Sequence, residues 1–175
     1  MFEIFGWVCY MIISLDSHCT YIGSTNNFIR RLNNHNRNDP NIKRTGAKRT
    51  RGQTWIPALV VSGFSSKNAC LSFEAGWKRL SKKRNNRRLY PLNIVSEMIF
   101  RYGSNPRWNR IMDLLYFTNN FTLLENKFKM NHSLEHKIIL PEKILISIFV
   151  NGWSEYIKKL PWPYFISAEE VGTTL

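Results

Sequence analysis

The chain has 175 residues, a net charge of +13 and an isoelectric point near 10.0. Hydrophobic residues make up 43% and aromatic residues 14%, which is enough for a folded core and excludes a disordered packaging protein. Such an excess of positive charge indicates a polyanionic partner, and nucleic acid is the commonest of these. No stretch reaches the ~18 apolar residues that a membrane-spanning helix needs, so no membrane partner is expected.

The cysteines argue against a disulfide-stabilised or exported protein. Cys9, Cys19 and Cys70 are odd in number and have no CxxC spacing, so neither a disulfide framework nor a cysteine zinc site is expected. The apolar residues 4–15 follow Glu3 instead of a basic flank and alternate like a strand, which argues against a signal peptide. We therefore expect an intracellular protein with reduced, mostly buried thiols.

A β-hairpin followed by a helix is predicted at the start of the chain. Trp7 to Leu15 is an apolar run rich in β-branched residues, residues 16–18 suit a turn, and Cys19 to Gly23 suits a second strand. The pattern becomes helical from about Asn27, with an apolar face of Phe28, Ile29 and Leu32.

A third strand and a second helix complete a predicted α/β unit. A polar loop over 37–54 leads to a strand from Trp55 to Gly63, in which Pro57 indicates an edge position or an irregular start. A helix over 67–80 follows, with an inward face of Ala69, Phe73, Trp77 and Leu80 and with Cys70 at the edge of that face. The predicted fold is a small α/β unit, a three-stranded antiparallel sheet flanked by helices.

The second half of the chain predicts helices. The patterns suit helices from Ile94 to Ile99, from Trp108 to Phe117, and one or two over 141–160. The predicted organisation is an α/β domain over 1–90 and a helical region over 91–175.

Two short segments concentrate the positive charge. The candidate phosphate contacts are Arg30, Lys43, Arg44, Lys48, Arg49 and Arg51 in the first, and Lys82, Lys83, Arg84, Arg87 and Arg88 in the second. A single cluster of this kind is usually a solvated surface, but two clusters around one α/β unit favour nucleic acid. Charge alone does not distinguish DNA from RNA.

Arg31 and His35 are candidate catalytic residues on the first helix. Their spacing of four places both on one flank, beside the apolar stripe. An arginine there could stabilise the charge of a phosphorane, and a histidine could relay a proton. The alternative is an ordinary exposed pair on a surface helix.

Glu74 and two tyrosines are further candidates. Glu74 lies at the rim of its helix and could bind one hard cation, although an ordinary ion pair with Lys78 is the alternative. Tyr10 and Tyr21 lie on the two hairpin strands and could meet, or serve only as packing residues. A phenol whose pKa is lowered by nearby cations could take a proton from water.

In order along the chain, Tyr10, Tyr21-Ile22-Gly23, Arg31, His35 and Glu74 resemble the GIY-YIG nuclease domain. Four segments are also similar to the SLX-type structure-selective endonucleases, which cut flaps, replication forks and Holliday junctions: CTYIGSTNNFIRRLNNHN (19–36), TGAKRT (45–50), WIPALVVSGF (55–64) and SFEAGWK (72–78). The segment NPRWNRIMDLLYF (105–117) resembles the helical part that follows the nuclease domain in that branch. The likeness covers roughly residues 5–120.

The resemblance implies metal-dependent hydrolysis of phosphodiester bonds in branched double-stranded DNA. It implies a general base and an orienting group in Tyr10 and Tyr21, charge stabilisation by Arg31, and proton transfer or tyrosine positioning by His35. Glu74 would hold one Mg²⁺ or Mn²⁺ ion. Gly23 is expected to permit a close backbone approach at the strand end.

Two departures from the family pattern affect these expectations. The first motif reads Val8-Cys9-Tyr10 in place of Gly-Ile-Tyr, which keeps the tyrosine. SLX-type enzymes carry a C-terminal zinc-binding RING-like domain that docks a scaffold subunit, but no cysteine follows Cys70. No zinc is therefore expected, the scaffold partner is in doubt, and a homodimer is left open.

The expected location is the nucleus or, for a protein of a large DNA virus, the site of viral DNA replication. Two alternative functions stay open on the sequence. One is a sequence-specific homing or restriction nuclease of the same superfamily, and the other is a DNA-binding module without catalysis.

Overall fold

Five strands form one mixed sheet in the computed structural model, which describes residues 6–37, 47–82, 105–120 and 143–171. The strands are β1 (Val8–Ser14), β2 (Thr20–Thr25), β3 (Trp55–Ser62), β4 (Ile144–Ile148) and β5 (Ile166–Glu170). They lie in the order β2-β1-β3-β4-β5. The pairs β1–β2, β1–β3 and β3–β4 are antiparallel, and β5 runs parallel to β4.

Helices flank this sheet within the described part of the chain. They are α1 (Phe28–Asn36), α2 (Lys67–Lys82), α3 (Pro106–Asn119) and the short α4 (Ser154–Ile157), with a 3-10 turn at Lys48–Thr50. The Asn27 side chain caps α1 by accepting a hydrogen bond from the Arg30 backbone N–H at 2.9 Å. None of the described helices has the length and apolar character needed to cross a bilayer.

The predicted hairpin and third strand are confirmed, and so are the helices predicted over 67–80 (α2) and 108–117 (α3). The ends of these elements are shifted by at most about two residues, as is usual for helix and strand ends. Pro57 lies at a break in the pairing of β1 with β3, where Met11 faces Leu59 but Ile12 faces Pro57. Proline has no N–H for the ladder, so an irregular position suits it. The predicted irregularity at Pro57 is therefore present.

The predicted three-stranded sheet is incomplete, and the prediction of helix for residues 144–148 is wrong. This segment pairs with β3 as a fourth strand, and within residues 143–160, the described part of the predicted range, the only α-helix is Ser154–Ile157. A short apolar run does not distinguish a strand from a buried helix by its periodicity, and its β-branched isoleucines favour the strand. The predicted helix over 94–99 lies outside the described residues, and the division at residue 90 stays a prediction.

Strand β1 is buried on both of its faces. Cys9, Met11 and Ile13 pack in one core together with α2 and α3, whereas Tyr10 belongs to a second, smaller core with Phe28 of α1. Successive side chains of a strand point to opposite faces, so this alternation follows from the strand itself. It places Tyr10 on the α1 side of the sheet.

Helix α3 holds the turn of the hairpin. Arg107 donates through Nη2 to the carbonyl oxygens of Ser14 and Ser17, at 2.8 and 3.0 Å. Arg110 donates through Nε to the Thr20 hydroxyl at 3.2 Å. Helix α3, which lies outside the predicted domain over 1–90, therefore holds both strands of the hairpin.

The cysteines are free thiols. Cys9 and Cys70 are buried in the larger core, and Cys19 is exposed. The prediction of unpaired, mostly buried thiols is confirmed.

Candidate active site

Tyr10, Arg31 and His35 meet where α1 covers the sheet. The Tyr10 hydroxyl lies 2.8 Å from Nε2 of His35 and accepts a hydrogen bond from Nε of Arg31 at 3.2 Å. Tyr10 and His35 are 0% and 2% exposed. The common flank that the helical spacing predicted for Arg31 and His35 is present, and it faces the hairpin. Ile29 of the predicted apolar face is instead 47% exposed, because the buried side of α1 runs from Phe28 to His35.

Tyr21 and Gly23 complete this cluster from β2. The Tyr21 ring centroid lies 4.9 Å from that of His35 and 6.3 Å from that of Tyr10. Gly23 faces Tyr10 across the hairpin, and a Cβ at Gly23 would lie 2.5 Å from the Tyr10 hydroxyl oxygen and 2.9 Å from Tyr21 Cε1. The glycine thus leaves room for two phenol rings, and the close backbone approach expected at Gly23 stays a prediction.

Glu74 of α2 lies at the rim of the cluster, next to the edge strand β2. Its carboxylate accepts a hydrogen bond from the Ser24 hydroxyl and forms an ion pair with Lys78. The Lys78 Nζ atom lies 5.4 Å from the centroid of the Tyr21 ring. The Glu74 side chain is 15% exposed, so it is reachable from solvent. The ion pair of Glu74 with Lys78, which was the alternative to a metal site, is therefore present, and its lysine lies over the Tyr21 ring.

The environment of Tyr10 raises its pKa. Burial is the largest cause of a pKa well above the usual value, and the hydrogen bond and charge of Arg31 offset only part of it. For Tyr10, the neighbouring cation Arg31 lowers the pKa as expected, but burial raises it by more, so the net pKa of this phenol is above its usual value. Near neutral pH Tyr10 is a neutral phenol that can act as a base only if its own proton has an acceptor.

His35 provides that acceptor. Burial, and to a smaller extent the charge of Arg31, lowers the pKa of His35 to about 4. The imidazole is therefore neutral at pH 7, with one ring nitrogen unprotonated and able to accept a hydrogen bond. Nε2 faces Tyr10, and Nδ1 lies 2.8 Å from the Thr50 hydroxyl oxygen.

The lowered pKa of His35 predicts a loss of stability in acid. As the pH falls from about 6.5 towards about 4, the unfolded chain binds a proton at this histidine and the folded chain does not. The free energy of unfolding should decrease by about 1.4 kcal/mol per pH unit, or about 3 kcal/mol over the window. Urea unfolding at a series of pH values measures this decrease.

A comparison of variants isolates the contribution of His35. His35→Gln should remove this part of the pH dependence, whereas His18→Gln, at an exposed histidine, should retain it. Equal slopes in the wild type and His35→Gln would contradict the assignment.

The predicted DNA contacts are only partly within the described residues. Arg30 is exposed on α1, and Lys48, Arg49 and Arg51 are exposed on or beside the 3-10 turn. Lys82 is the last residue of α2, and its side chain lies outside the described part of the structure. The remaining candidates lie outside the described residues: Lys43, Arg44, Lys83, Arg84, Arg87 and Arg88.

Two contacts of the cluster were not predicted from the sequence. Thr50 reaches His35 across a loop without periodicity, and Ser24 of β2 reaches Glu74 of α2, 50 residues later in the chain. Thr50 ends the segment TGAKRT, so its place in a motif was the available signal.

A β-hairpin with two neighbouring tyrosines, an Arg and a His on the next helix and a Glu on the second helix defines a GIY-YIG nuclease. The family model described as the GIY-YIG catalytic domain matches residues 6–88. Residues 6–88 therefore form a GIY-YIG catalytic domain, as the sequence predicted.

Individual relatives show which proteins this chain resembles. The chain is 59% identical over 162 residues to protein L300 of Acanthamoeba polyphaga mimivirus, covering 93% of this chain and 95% of L300. It is 42% identical over 73 residues to structure-specific endonuclease subunit SLX1 of Vanderwaltozyma polyspora, and 40% identical over 82 residues to that of Penicillium rubens. These matches cover 41% and 45% of this chain but only 23% and 19% of the two relatives.

Proposed function

We propose that this protein is a structure-selective endonuclease that hydrolyses phosphodiester bonds in branched DNA such as flaps, forks and Holliday junctions. The observation that carries the proposal is the hydrogen-bonded series Arg31–Tyr10–His35, with Glu74 at its rim. The GIY-YIG match and the SLX1 relatives support it.

Tyr10 is the proposed general base. A water molecule attacks the phosphorus in line, and its proton passes to the Tyr10 oxygen while the Tyr10 proton passes to Nε2 of His35. This transfer avoids a free phenolate, which the raised pKa of Tyr10 disfavours. Tyr21 orients the water or the scissile phosphate.

Arg31 is the proposed stabiliser of the transition state. Its guanidinium is held by Tyr10 through Nε, and as a fixed cation in a partly buried site it favours the extra negative charge of a pentavalent phosphorus. Burial lowers the pKa of Arg31, but its interactions with Tyr10 and Tyr21 raise it more, so the net pKa is above normal and the charge is permanent.

Glu74 is the proposed ligand of one Mg²⁺ or Mn²⁺ ion. A single carboxylate suits these ions, which complete their coordination with water and substrate phosphates. Within the described residues no group of three or more His, Cys, Asp or Glu could hold a metal, and Glu74 is the protein ligand proposed here. When bound, such an ion supplies positive charge for the leaving 3′ oxygen.

Lys78 is expected to compete with this ion for the Glu74 carboxylate, since the two side chains form an ion pair. Replacing Lys78 with Met should tighten Mn²⁺ binding by about two- to fivefold, the range expected from losing a partly exposed pair. Electron paramagnetic resonance of Mn²⁺ titrated into DNA-free protein measures the affinity.

The Glu155–Lys159 pair provides a matched control, because it has the same helical spacing and lies in solvent. Lys159→Met should leave the Mn²⁺ affinity unchanged. An equal change in both variants would indicate a general charge effect and not competition at Glu74.

DNA is proposed to lie along the exposed basic residues beside this site. Arg30 on α1 and Lys48, Arg49 and Arg51 near the 3-10 turn provide charge for phosphates. Phosphate contacts position a duplex without reading its bases, which suits selection by shape. The proposed place of action is the nucleus or a site of viral DNA replication, and L300 of mimivirus supports the viral setting.

The test is cleavage of labelled DNA by the purified protein with Mg²⁺ or Mn²⁺. A panel of linear duplex, flap, fork and four-way junction should show cuts in the branched molecules and little cutting of the duplex. Cutting of one unique duplex sequence would instead favour a homing or restriction-type nuclease. Binding without cutting of any substrate would favour a module without catalysis.

A further inference from the structure

Thr50 is the buried residue of an exposed, basic turn. It is 1% exposed, whereas its neighbours Arg49 and Arg51 are exposed. Its hydroxyl donates a hydrogen bond to the Ala47 carbonyl oxygen at 2.9 Å, and its carbonyl accepts one from the Trp55 indole N–H at 2.8 Å. Thr50 is therefore held in place from both its side chain and its backbone.

The contacts of the Thr50 hydroxyl determine which nitrogen of His35 carries the proton. A threonine hydroxyl has one hydrogen, and Ala47 O can only accept it. The 2.8 Å contact with Nδ1 is then a hydrogen bond donated by His35 to Thr50. In the reverse arrangement, the 2.9 Å contact between Thr50 and Ala47 would join two oxygens with no hydrogen between them.

With this assignment, each group in the series donates a hydrogen bond to the next one, from Arg31 to Ala47. Arg31 donates to Tyr10, Tyr10 donates to Nε2 of His35, His35 donates through Nδ1 to Thr50, and Thr50 donates to Ala47. Nε2 is left as an acceptor directed at the Tyr10 hydroxyl.

We propose that Thr50 is a positioning residue that holds neutral His35 in the Nδ1–H tautomer, so that Nε2 can take the proton of Tyr10. The tautomer of a histidine is set by the partner of its other nitrogen, and Thr50 is that partner. The catalytic purpose of this arrangement rests on the proposed nuclease function, but the tautomer does not.

The turn that contains Thr50 also carries candidate contacts with DNA. Lys48, Arg49 and Arg51 are the candidate phosphate contacts of the turn, so one short segment carries them and the partner of His35. Arg31 also acts on the His35 imidazole, which packs on Tyr10 and Tyr21, and its positive charge opposes protonation of the ring.

The tautomer can be measured directly. Nitrogen-15 NMR of histidine-labelled wild-type protein at pH 7, with His35 assigned through His35→Gln, should show a protonated Nδ1 and an unprotonated Nε2. Thr50→Val should shift the population towards Nε2–H, and Thr50→Ser, which keeps the hydroxyl, should restore Nδ1–H. A wild-type His35 protonated at Nε2 overturns the proposal, whether or not Thr50→Val folds.

Cleavage provides the second measurement. Thr50→Val should lower the single-turnover rate by roughly 10- to 100-fold, as expected when a proton acceptor is misoriented, with DNA affinity unchanged and with recovery in Thr50→Ser. Thr54→Val, the same change at an exposed position nearby, should cut like the wild type. A Thr50→Val protein with unchanged tautomer and rate overturns the inference. A wild type that cuts no DNA contradicts the proposed function alone, and the NMR result still decides the role of Thr50.

Discussion

Replacing Glu74 with Gln is expected to reduce DNA cleavage by about 10³-fold or more while leaving DNA binding nearly intact. Gln keeps the length of the side chain and can still accept a hydrogen bond from Ser24. It lacks the negative charge that a divalent ion requires, and metal assistance is worth several kcal/mol of transition-state stabilisation. Single-turnover rates on a labelled fork in Mg²⁺, and filter binding in EDTA, separate the two effects.

Glu155→Gln is the matched control for this change. Glu155 also pairs with a lysine four residues later, but both side chains are exposed, at 65% and 72%. This variant should cut at the wild-type rate. If Glu74→Gln cuts as fast as the wild type, Glu74 is not the metal ligand and the proposed chemistry is wrong.

Replacing Tyr10 with Phe should have the second-largest effect, a loss of about 10²- to 10⁴-fold in cleavage rate, the usual range for removing a general base. The ring would remain packed against Tyr21 and Phe28, with centroids now at 6.3 and 5.3 Å. The hydroxyl alone would be lost, so Arg31 and His35 would lose their common partner.

Two measurements distinguish this chemical role from a structural one. Circular dichroism should show a folded Tyr10→Phe protein, since the removed atom is one oxygen in a core that keeps its shape. Tyr164→Phe removes the same atom from a fully exposed side chain and should leave the rate unchanged. Tyr10→Phe with wild-type activity would exclude Tyr10 as the base and leave Tyr21 as the candidate.

Patterns within short stretches explain which elements could be predicted. The hairpin and α2 could be predicted because alternation and helical spacing are local properties of neighbouring residues. Strand β4 could not be predicted as a strand, because its partner β3 ends more than 80 residues earlier and a short apolar run suits a strand or a buried helix equally. The order of Tyr10, Tyr21, Arg31, His35 and Glu74 identified the superfamily before any distance was known.

By itself, the sequence determined that a basic α/β protein carries the residue types of a GIY-YIG site in the right order. Only the tertiary structure decided how those residues are protonated, because burial and hydrogen bonding depend on segments distant in sequence. Burial under α1 raises the pKa of Tyr10 and lowers that of His35, and Thr50 reaches His35 from a turn that has no hydrophobic periodicity. The spacing of Glu74 and Lys78 allowed an ion pair, but only the fold brought the lysine of that pair over the Tyr21 ring at the edge of the sheet.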